Sequence, residues 1–308
     1  MRHSRTMEVA SGITMFDTLL GGWEGITGAY LVSGTRPALV ETGAQTSVPV
    51  VFDALKAMSL GPEDLAWIVV THVHLDHCGG VGDLALAFPR ATVVVHQRGA
   101  PHLAEPARLV AASAAVYAEH APLYGGLTPV AEDRIMAVED GATIGLGGAR
   151  QLVMIEAPGH ARHQMAILDE ATGTVMAADA LGGRLADGGL YPAIPPPEFD
   201  LDQSLHTLRR LAELAPETLL LGHFGAVAEP QEAIALAMSQ QSIVAEAAWD
   251  AWRSGGTEAV AAAVSRVLPL AQTVQSPRAI ELWERLGWAP NNAAGLARWA
   301  ERRAASEA

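Results

Sequence analysis

The sequence is poor in the features that mark exported and membrane proteins. Of its 308 residues only Cys78 is a cysteine, so no internal disulfide can form and a reducing compartment is expected. No run of about 18 apolar residues occurs, so we expect no membrane-spanning helix. Residues 1–10 are polar and charged, without an apolar stretch of signal-peptide length. These absences predict a cytoplasmic location and no membrane partner.

Basic residues are scarce as well. The 20 Lys and Arg face 34 Asp and Glu, which gives a formal net charge of −14 at pH 7. A surface this acidic repels phosphate backbones, so nucleic acid is not an expected partner. Half of the residues are apolar and only 18% are charged, so the chain can bury a large core. We therefore expect a folded protein with a large core and no nucleic-acid partner.

Short apolar runs separated by turn signals predict strands and intervening helices through the first 230 residues. Trp67–Thr71 is an apolar run of buried-strand length, and Met165–Asp169 with Thr174–Ala178 predicts a hairpin. The amphipathic segment Leu201–Leu214 predicts a helix that Asp200 caps. This mixed order indicates an α/β layered fold with sheet inside and helices outside.

From Pro230 onward the periodicity is helical only. It predicts a main domain of residues 1–230 and an α-helical extension of residues 231–308. Gly255-Gly256 is expected to end the first helix of the extension, and Asn292 to cap the last. Five of the seven tryptophans lie here. We expect them to pack the extension onto the main domain or onto a second subunit, as a homodimer; an aromatic lid over a substrate cleft is the alternative.

The segment after the strand Trp67–Thr71 carries the chemistry. His72, His74, Asp76 and His77 follow one another within six residues. Imidazole nitrogens and carboxylate oxygens are ligands that suit Zn, Fe or Mn. At an extended strand end His72 and His74 point to the same side, and Asp76 and His77 follow around a turn where they can face a second ion. Burying these groups is costly unless something satisfies them, so the segment predicts a metal site.

Three further donors stand at later strand ends. His160, Asp179 and His223 each follow an apolar run and lie in a loop that contains Gly or Ala. Sites built on sheets collect their ligands at such places. A single histidine there is more often a structural core residue, but three donors in series after an H-x-H-x-D-H segment predict that all seven side chains converge.

This pattern resembles that of the metallo-β-lactamase-fold hydrolase superfamily over roughly residues 8–230. The resemblance implies an αββα sandwich, in which two sheets face each other between layers of helices. It also implies a first metal ion held by three histidines, a second held by an aspartate and two histidines, and a bridging carboxylate. These are His72, His74 and His160; Asp76, His77 and His223; and Asp179.

Departures from related branches narrow the expected function. His74 stands where flavodiiron proteins typically have Glu, which favours hydrolysis over oxygen or NO reduction. Lactamases that open penicillins usually have Cys in place of Asp179, so antibiotic hydrolysis is not expected. Persulfide dioxygenases leave part of the second metal site unused, whereas all of its donors are present here.

The donors and the resemblance predict a dinuclear hydrolase of small carboxylic esters, lactones or thioesters. Two divalent ions, most simply Zn²⁺ and otherwise Fe or Mn, would share a bridging hydroxide, and Asp76 and Asp179 are the expected catalytic residues. Tyr191 and Arg184, in the Gly- and Pro-rich loop of residues 182–200, are candidate substrate contacts. A phosphodiester or phosphotriester hydrolase, a diiron oxidoreductase and a non-catalytic metal-binding module are the alternatives.

Overall fold

The structure is a computed structural model that describes residues 5–185 and 188–307. Within them two mixed sheets pack face to face. The strands of the first sheet lie side by side in chain order: β1 (Thr6–Ala10), β2 (Ile13–Asp17), β3 (Gly28–Val32), β4 (Ala38–Val40), β5 (Trp67–Val69), β6 (Thr92–His96) and β7 (Ile135–Val138). The second sheet has the order β13-β12-β11-β10-β9-β8, and its strands are β8 (Thr143–Gly147), β9 (Arg150–Glu156), β10 (Met165–Asp169), β11 (Thr174–Met176), β12 (Thr218–Leu221) and β13 (Gly225–Val227).

Helices lie outside the two sheets and in the last quarter of the chain. They are α1 (Val48–Ala57), α2 (Leu75–Cys78), α3 (Val81–Ala87), α4 (Ala100–Ala104), α5 (Ala107–Tyr117), α6 (Ala121–Tyr124), α7 (Leu201–Glu213), α8 (Pro230–Val267), α9 (Leu270–Val274), α10 (Pro277–Arg285) and α11 (Trp288–Glu307). In the part of the chain that the structure covers, no helix is both long and apolar enough to cross a bilayer.

Alternating side chains explain the layers. Along β5, Trp67 and Val69 pack into the core between the sheets, whereas Ile68 points to the other face and packs beneath the helices. Leu220 of β12 also lies in the core between the sheets, and its neighbours Leu219 and Leu221 pack on the opposite side with residues of α7 and α8. The predicted αββα sandwich is confirmed.

Parallel pairing brings the ends of key strands to one edge. β5 pairs in parallel with β4 and β6, with Val69 opposite Val40 and Val94. In the second sheet β11 pairs in parallel with β12, with Met176 opposite Leu220. The segments that follow β5, β11 and β12 therefore leave the sheets at their carboxyl ends, where sites in such folds form.

Two local sequence predictions are confirmed. β10 and β11 form the predicted hairpin, with Asp169 opposite Thr174. The carboxylate of Asp200 accepts the Gln203 N–H at 3.0 Å and so caps α7.

The extension packs against the sandwich. The indole of Trp283 in α10 is fully buried in the core that α1 and α3 share with the first sheet. α8 instead contacts α7 and α11. Trp283 thus packs α10 onto the main domain, as the first interpretation expected. The homodimer stays a prediction.

Of two predicted helix boundaries, one is confirmed and one is wrong. Gly256, with φ 66° and ψ −162°, breaks the helical geometry within α8, so the first helical stretch of the extension ends at Gly255-Gly256 as predicted and a second stretch continues to Val267. Asn292 does not cap α11, which begins at Trp288. Asn292 lies in the second turn of α11, and its buried side chain forms hydrogen bonds with the backbone of Pro192 and Ile194.

Candidate metal centre

The donors after β5 lie on a segment that leaves the sheet. Val70 still donates its N–H to Val94 O at 2.9 Å, in line with the parallel ladder. The chain bends at Thr71, and His74, in extended geometry, is the N-cap of the single-turn helix α2. His72 and His74 therefore precede the helix, while Asp76 and His77 lie within its turn.

Folding brings six of the seven predicted donors together in two groups of three. One ligand atom from each of His72, His74 and His160 lies within 4.8 Å of the others. The same holds for Asp76, His77 and His223. The grouping is the one that the resemblance implied.

Asp179 lies between the two groups. Its Oδ2 is 3.9 Å from His72 Nε2 and 3.6 Å from His160 Nε2 on one side. On the other side it is 3.4 Å from His77 Nε2 and 3.5 Å from His223 Nε2. One carboxylate oxygen thus faces four imidazole nitrogens, which is the position expected of a group shared by two ions.

Backbone and side-chain acceptors orient the imidazole rings. His160 donates its Nδ1–H to Ala193 O at 2.9 Å, and His223 donates its Nδ1–H to Ile26 O at 3.0 Å. His72 Nδ1 is 3.0 Å from the hydroxyl of Thr71. Such partners fix the tautomer, so that the Nε2 lone pair points inward.

Glu41 supports the centre from behind. Its buried carboxylate accepts the Thr71 hydroxyl proton, so Thr71 Oγ1 is left to accept from His72 Nδ1. The Oε1 atom of Glu41 also lies 3.5 Å from His77 Nδ1. Glu41 therefore links one histidine of each donor group.

This arrangement fits a bound metal. His72 Nε2 and Asp179 Oδ1 are buried and make no hydrogen bond within the described residues. Buried polar atoms without partners are costly, and inward-pointing lone pairs around a carboxylate repel one another. A divalent cation would give the buried atoms a partner and would remove the repulsion between the lone pairs. A set of imidazole and carboxylate ligands suits Zn, Fe or Mn.

The first donor group is neutral before any ion binds. Burial, together with repulsion from neighbouring imidazoles, lowers the pKa of His72 and of His74 well below the ordinary value. Burial also lowers the pKa of His160. These three side chains can accept a cation without first losing a proton.

The second group retains a proton. Burial opposes a charge on His223, but attraction to Asp179 and hydrogen bonds to Asp179 and Asp76 raise its pKa to about 9. His77 Nε2 lies 3.1 Å from His223 Nε2, so a single proton can lie between the two rings. Burial would raise the pKa of Asp179, but His77 and His223 hold it well below its usual range.

The cluster forms the floor of a small cavity of about 50 Å³ that opens to solvent. Its wall is partly aromatic, with Tyr117 and Tyr124 stacked 4.0 Å apart and Trp288 packed edge-on against His223. Leu286 and Trp288 of the extension also line this cavity, and an aromatic lid stays a prediction. No lysine or arginine among the described residues lines this cavity.

The two predicted substrate contacts are not brought to the cavity. Tyr191 is buried against Trp283, with ring centroids 5.5 Å apart, and its hydroxyl faces Leu268 O at 3.4 Å. Arg184 donates from Nη2 to Ala226 O at 3.0 Å. Both interactions turn these side chains toward the protein rather than toward the metal-binding groups.

Sequence reasoning missed Tyr117. Its hydroxyl lies 3.4 Å from Asp76 Oδ1, inside the cavity. Tyr117 is the last residue of α5, an Ala-rich helix whose sequence carries no motif. Only the docking of that helix brings the phenol to the site.

An αββα sandwich with a histidine and aspartate cluster at its strand ends defines a class of metal-binding proteins. Residues 22–223 match the sequence model of the metallo-β-lactamase superfamily. The chain belongs to this superfamily, which confirms the resemblance seen in the sequence.

Two proteins with curated sequences are similar to more than half of the chain. The uncharacterized protein YobT of Bacillus subtilis is 29% identical over 58% of this chain and 75% of its own length. The metallo-β-lactamase fold-containing protein ST1585 of Sulfurisphaera tokodaii is 30% identical over 54% of this chain and 62% of its own length. The crystal structure of ST1585 superposes with a TM-score of 0.63, at 24% identity, over 78% of this chain and 86% of that one.

A flavodiiron protein shares the fold at greater distance. The flavodiiron core of Flv1 from Synechocystis superposes with a TM-score of 0.58 at 14% identity, over 80% of this chain and 62% of that one. At this identity the likeness shows the fold alone.

Gly222 permits the close packing of the second donor group. A Cβ at this position would lie 2.6 Å from His77 Cε1 and 3.0 Å from Asp179 Oδ1. We expect Gly222→Ala to displace both side chains and to weaken metal binding by about tenfold or more. The metal retained after dialysis, measured by elemental analysis, checks this. Gly145→Ala is the control because no atom lies within 4 Å of its Cβ; equal metal content in the two variants would contradict the expectation.

Proposed function

We propose that this protein is a two-metal hydrolase of small ester-type substrates, namely carboxylic esters, lactones or thioesters. The observation that supports it most is the approach of four histidine Nε2 atoms to within 3.9 Å of Asp179 Oδ2. A shared carboxylate between two sets of donors is the arrangement that a pair of divalent ions needs. Zn²⁺ is the ion that we expect, since five imidazoles and two carboxylates suit it.

Bound ions would supply Lewis acidity, lowering the pKa of a water and polarising a carbonyl. The protein contributes orientation and charge. Asp76 and Asp179 stay ionised near neutral pH because the neighbouring His77 and His223 lower the pKa of each carboxyl against the effect of burial. Both carboxylates can therefore accept a hydrogen bond from an attacking water.

Tyr117 holds one of these carboxylates. Its hydroxyl donates toward Asp76 Oδ1 at 3.4 Å, while Asp76 Oδ2 lies 3.3 Å from His223 Nε2. Burial raises the pKa of the Tyr117 phenol, so it remains a donor across the physiological range. Asp76 is thus fixed from two sides.

The cavity favours an uncharged substrate. Its wall consists of aromatic and aliphatic side chains and the amides of Asn291 and Asn292, with no cationic side chain within the described residues. Arg184 instead donates to Ala226 O. The negative charge of a phosphodiester or of a carboxylate-bearing compound would be attracted only by the metal ions. An uncharged acyl group, in contrast, would bind more tightly because it makes apolar contacts with the same wall.

A substrate panel tests the proposal. Protein stripped of metal and reloaded with Zn²⁺, Mn²⁺ or Fe²⁺ is assayed on p-nitrophenyl esters, lactones, thioesters and bis(p-nitrophenyl) phosphate. We expect hydrolysis of the uncharged esters to depend on metal and to be lost in Asp179→Ala. Faster cleavage of the phosphodiester would indicate a phosphodiesterase instead of an esterase. Oxygen consumption by the iron form would indicate a diiron oxidoreductase. Metal binding without turnover of any substrate would indicate a non-catalytic binding module.

The two ions should differ in their response to pH. Protons compete for the second group because the pKa of His223 is about 9, so its ion affinity should fall by about tenfold per pH unit below that value. The pKa values of His72, His74 and His160 are lowered, so affinity at the first group should change little between about pH 6.5 and 8.5. Zn²⁺ titrations against a competing chelator separate the two steps, and parallel slopes would refute the assignment.

Removal of the Tyr117 hydroxyl should slow turnover. A hydrogen bond worth about 1 kcal/mol in the transition state corresponds to about fivefold in kcat, so Tyr117→Phe is expected to lose about that factor with KM nearly constant. Tyr124→Phe removes a hydroxyl from the stacked ring, for which the described residues show no bond to a carboxylate, and its loss should be smaller. Equal losses in steady-state assays would contradict a role for the Tyr117–Asp76 contact.

A further inference from the structure

The carbonyl that orients His160 lies on a segment between the metal centre and the extension. His160 Nδ1–H donates to Ala193 O at 2.9 Å, while His160 Nε2 lies 2.9 Å from His74 Nδ1. The direction of the ring therefore depends on where Ala193 places its carbonyl. Ala193 itself is buried and has no side chain that could anchor it.

Asn292 in α11 anchors this segment on both sides of Ala193. Its Oδ1 accepts the Ile194 N–H at 2.7 Å, and its Nδ2 donates to Pro192 O at 2.7 Å. The side chain is buried, so water cannot readily replace either bond. Two short bonds to flanking peptides leave the Ala193 peptide little freedom to rotate.

One face of α11 is adapted to this contact. Trp288, Asn292 and Gly295 are spaced four and three residues apart and so share a face of the helix. Trp288 Nε1–H also donates to Pro192 O, at 3.0 Å. A Cβ at Gly295 would lie 2.1 Å from Ile194 O, so only glycine lets the helix approach this closely.

The geometry points to Asn292 as a positioning residue for the metal centre: through Pro192 and Ile194 it fixes the Ala193 carbonyl, and through that carbonyl the ligand His160. The C-terminal extension, which lies outside the residues 22–223 that match the superfamily, thereby sets the affinity of the His72, His74 and His160 group. The inference rests on the proposed function only in requiring divalent ions at the two donor groups.

Gln240 offers a matched control. It is a buried amide on α8, also in the extension, and its Nε2 donates to Leu190 O at 3.0 Å. Leu190 lies in the same segment, but its carbonyl holds no ligand among the described residues. Gln240→Ala therefore removes a comparable buried amide without releasing Ala193.

The experiment measures Zn²⁺ affinity rather than turnover. Full-length protein is stripped with a chelator, and its two Zn²⁺ dissociation constants are determined by competition for the parent, Asn292→Ala, Asn292→Asp and Gln240→Ala. Partners that orient a metal-ligating histidine contribute about 10- to 100-fold to affinity. We therefore expect Asn292→Ala to weaken one of the two steps by about tenfold or more and the other much less.

Asn292→Asp keeps an acceptor for the Ile194 N–H but removes the amide donor, so a smaller loss at the same step is expected. Thermal unfolding of the metal-free protein shows whether the Asn292→Ala variant folds. If it does not, the Asn292→Asp variant tests the inference. Gln240→Ala should lower the thermal stability while leaving the ratio of the two dissociation constants at the parent value.

The outcomes separate this inference from the proposed function. Parent-like dissociation constants in both Asn292 variants would overturn the inference alone. Equal weakening of both steps, or an equal shift in Gln240→Ala, would assign Asn292 a general structural role and also overturn it. Failure of the parent to bind Zn²⁺ would overturn both proposals, whereas absence of hydrolysis with a selective loss in Asn292→Ala would support the inference and count against the hydrolase.

Discussion

The burial of Asp179 among four imidazoles is the constraint on which the site depends. A carboxylate removed from water is costly unless positive charge or hydrogen bonds compensate it. Here the surrounding groups come from the segments after β5, β9 and β12, which belong to both sheets. The two halves of the sandwich therefore meet at one charge. That charge raises the pKa of His223 against the effect of burial, whereas burial lowers the pKa of His72 despite it. The first donor group is neutral, while the second shares a proton that a cation must displace.

Much of the donor set could be predicted because its signals are local. An H-x-H-x-D-H segment after an apolar strand places four donors within six residues of the strand end, whatever the rest of the fold does. His160, Asp179 and His223 were also recognisable, since each follows a strand end. Parallel pairing of β11 with β12 then brings the last two together.

The residues around the donor set could not be predicted in the same way. Their positions depend on how helices and loops dock, which the pattern of a single sequence does not encode. Tyr117 lies at the end of an unremarkable helix, and its place beside Asp76 results from the packing of α5. Tyr191 and Arg184 occupy the expected loop, but a bridge between Gly183 and Tyr191 folds that loop back on itself, and both side chains bond to backbone carbonyls elsewhere. Asn292 was expected to cap a helix because Asn favours that position; instead the helix begins four residues earlier, and the amide faces inward.

The donors that form the floor of the cavity precede α11, which forms part of its wall, in the sequence. This order matters during biosynthesis. A chain made from its N-terminus contains all seven donors before Trp288 and Asn292 have been added. Until α11 docks, the centre lacks one wall and the Ala193 carbonyl has no anchor. The docking of α11 therefore completes the wall of the cavity and the support of His160 only after every donor residue has been synthesised.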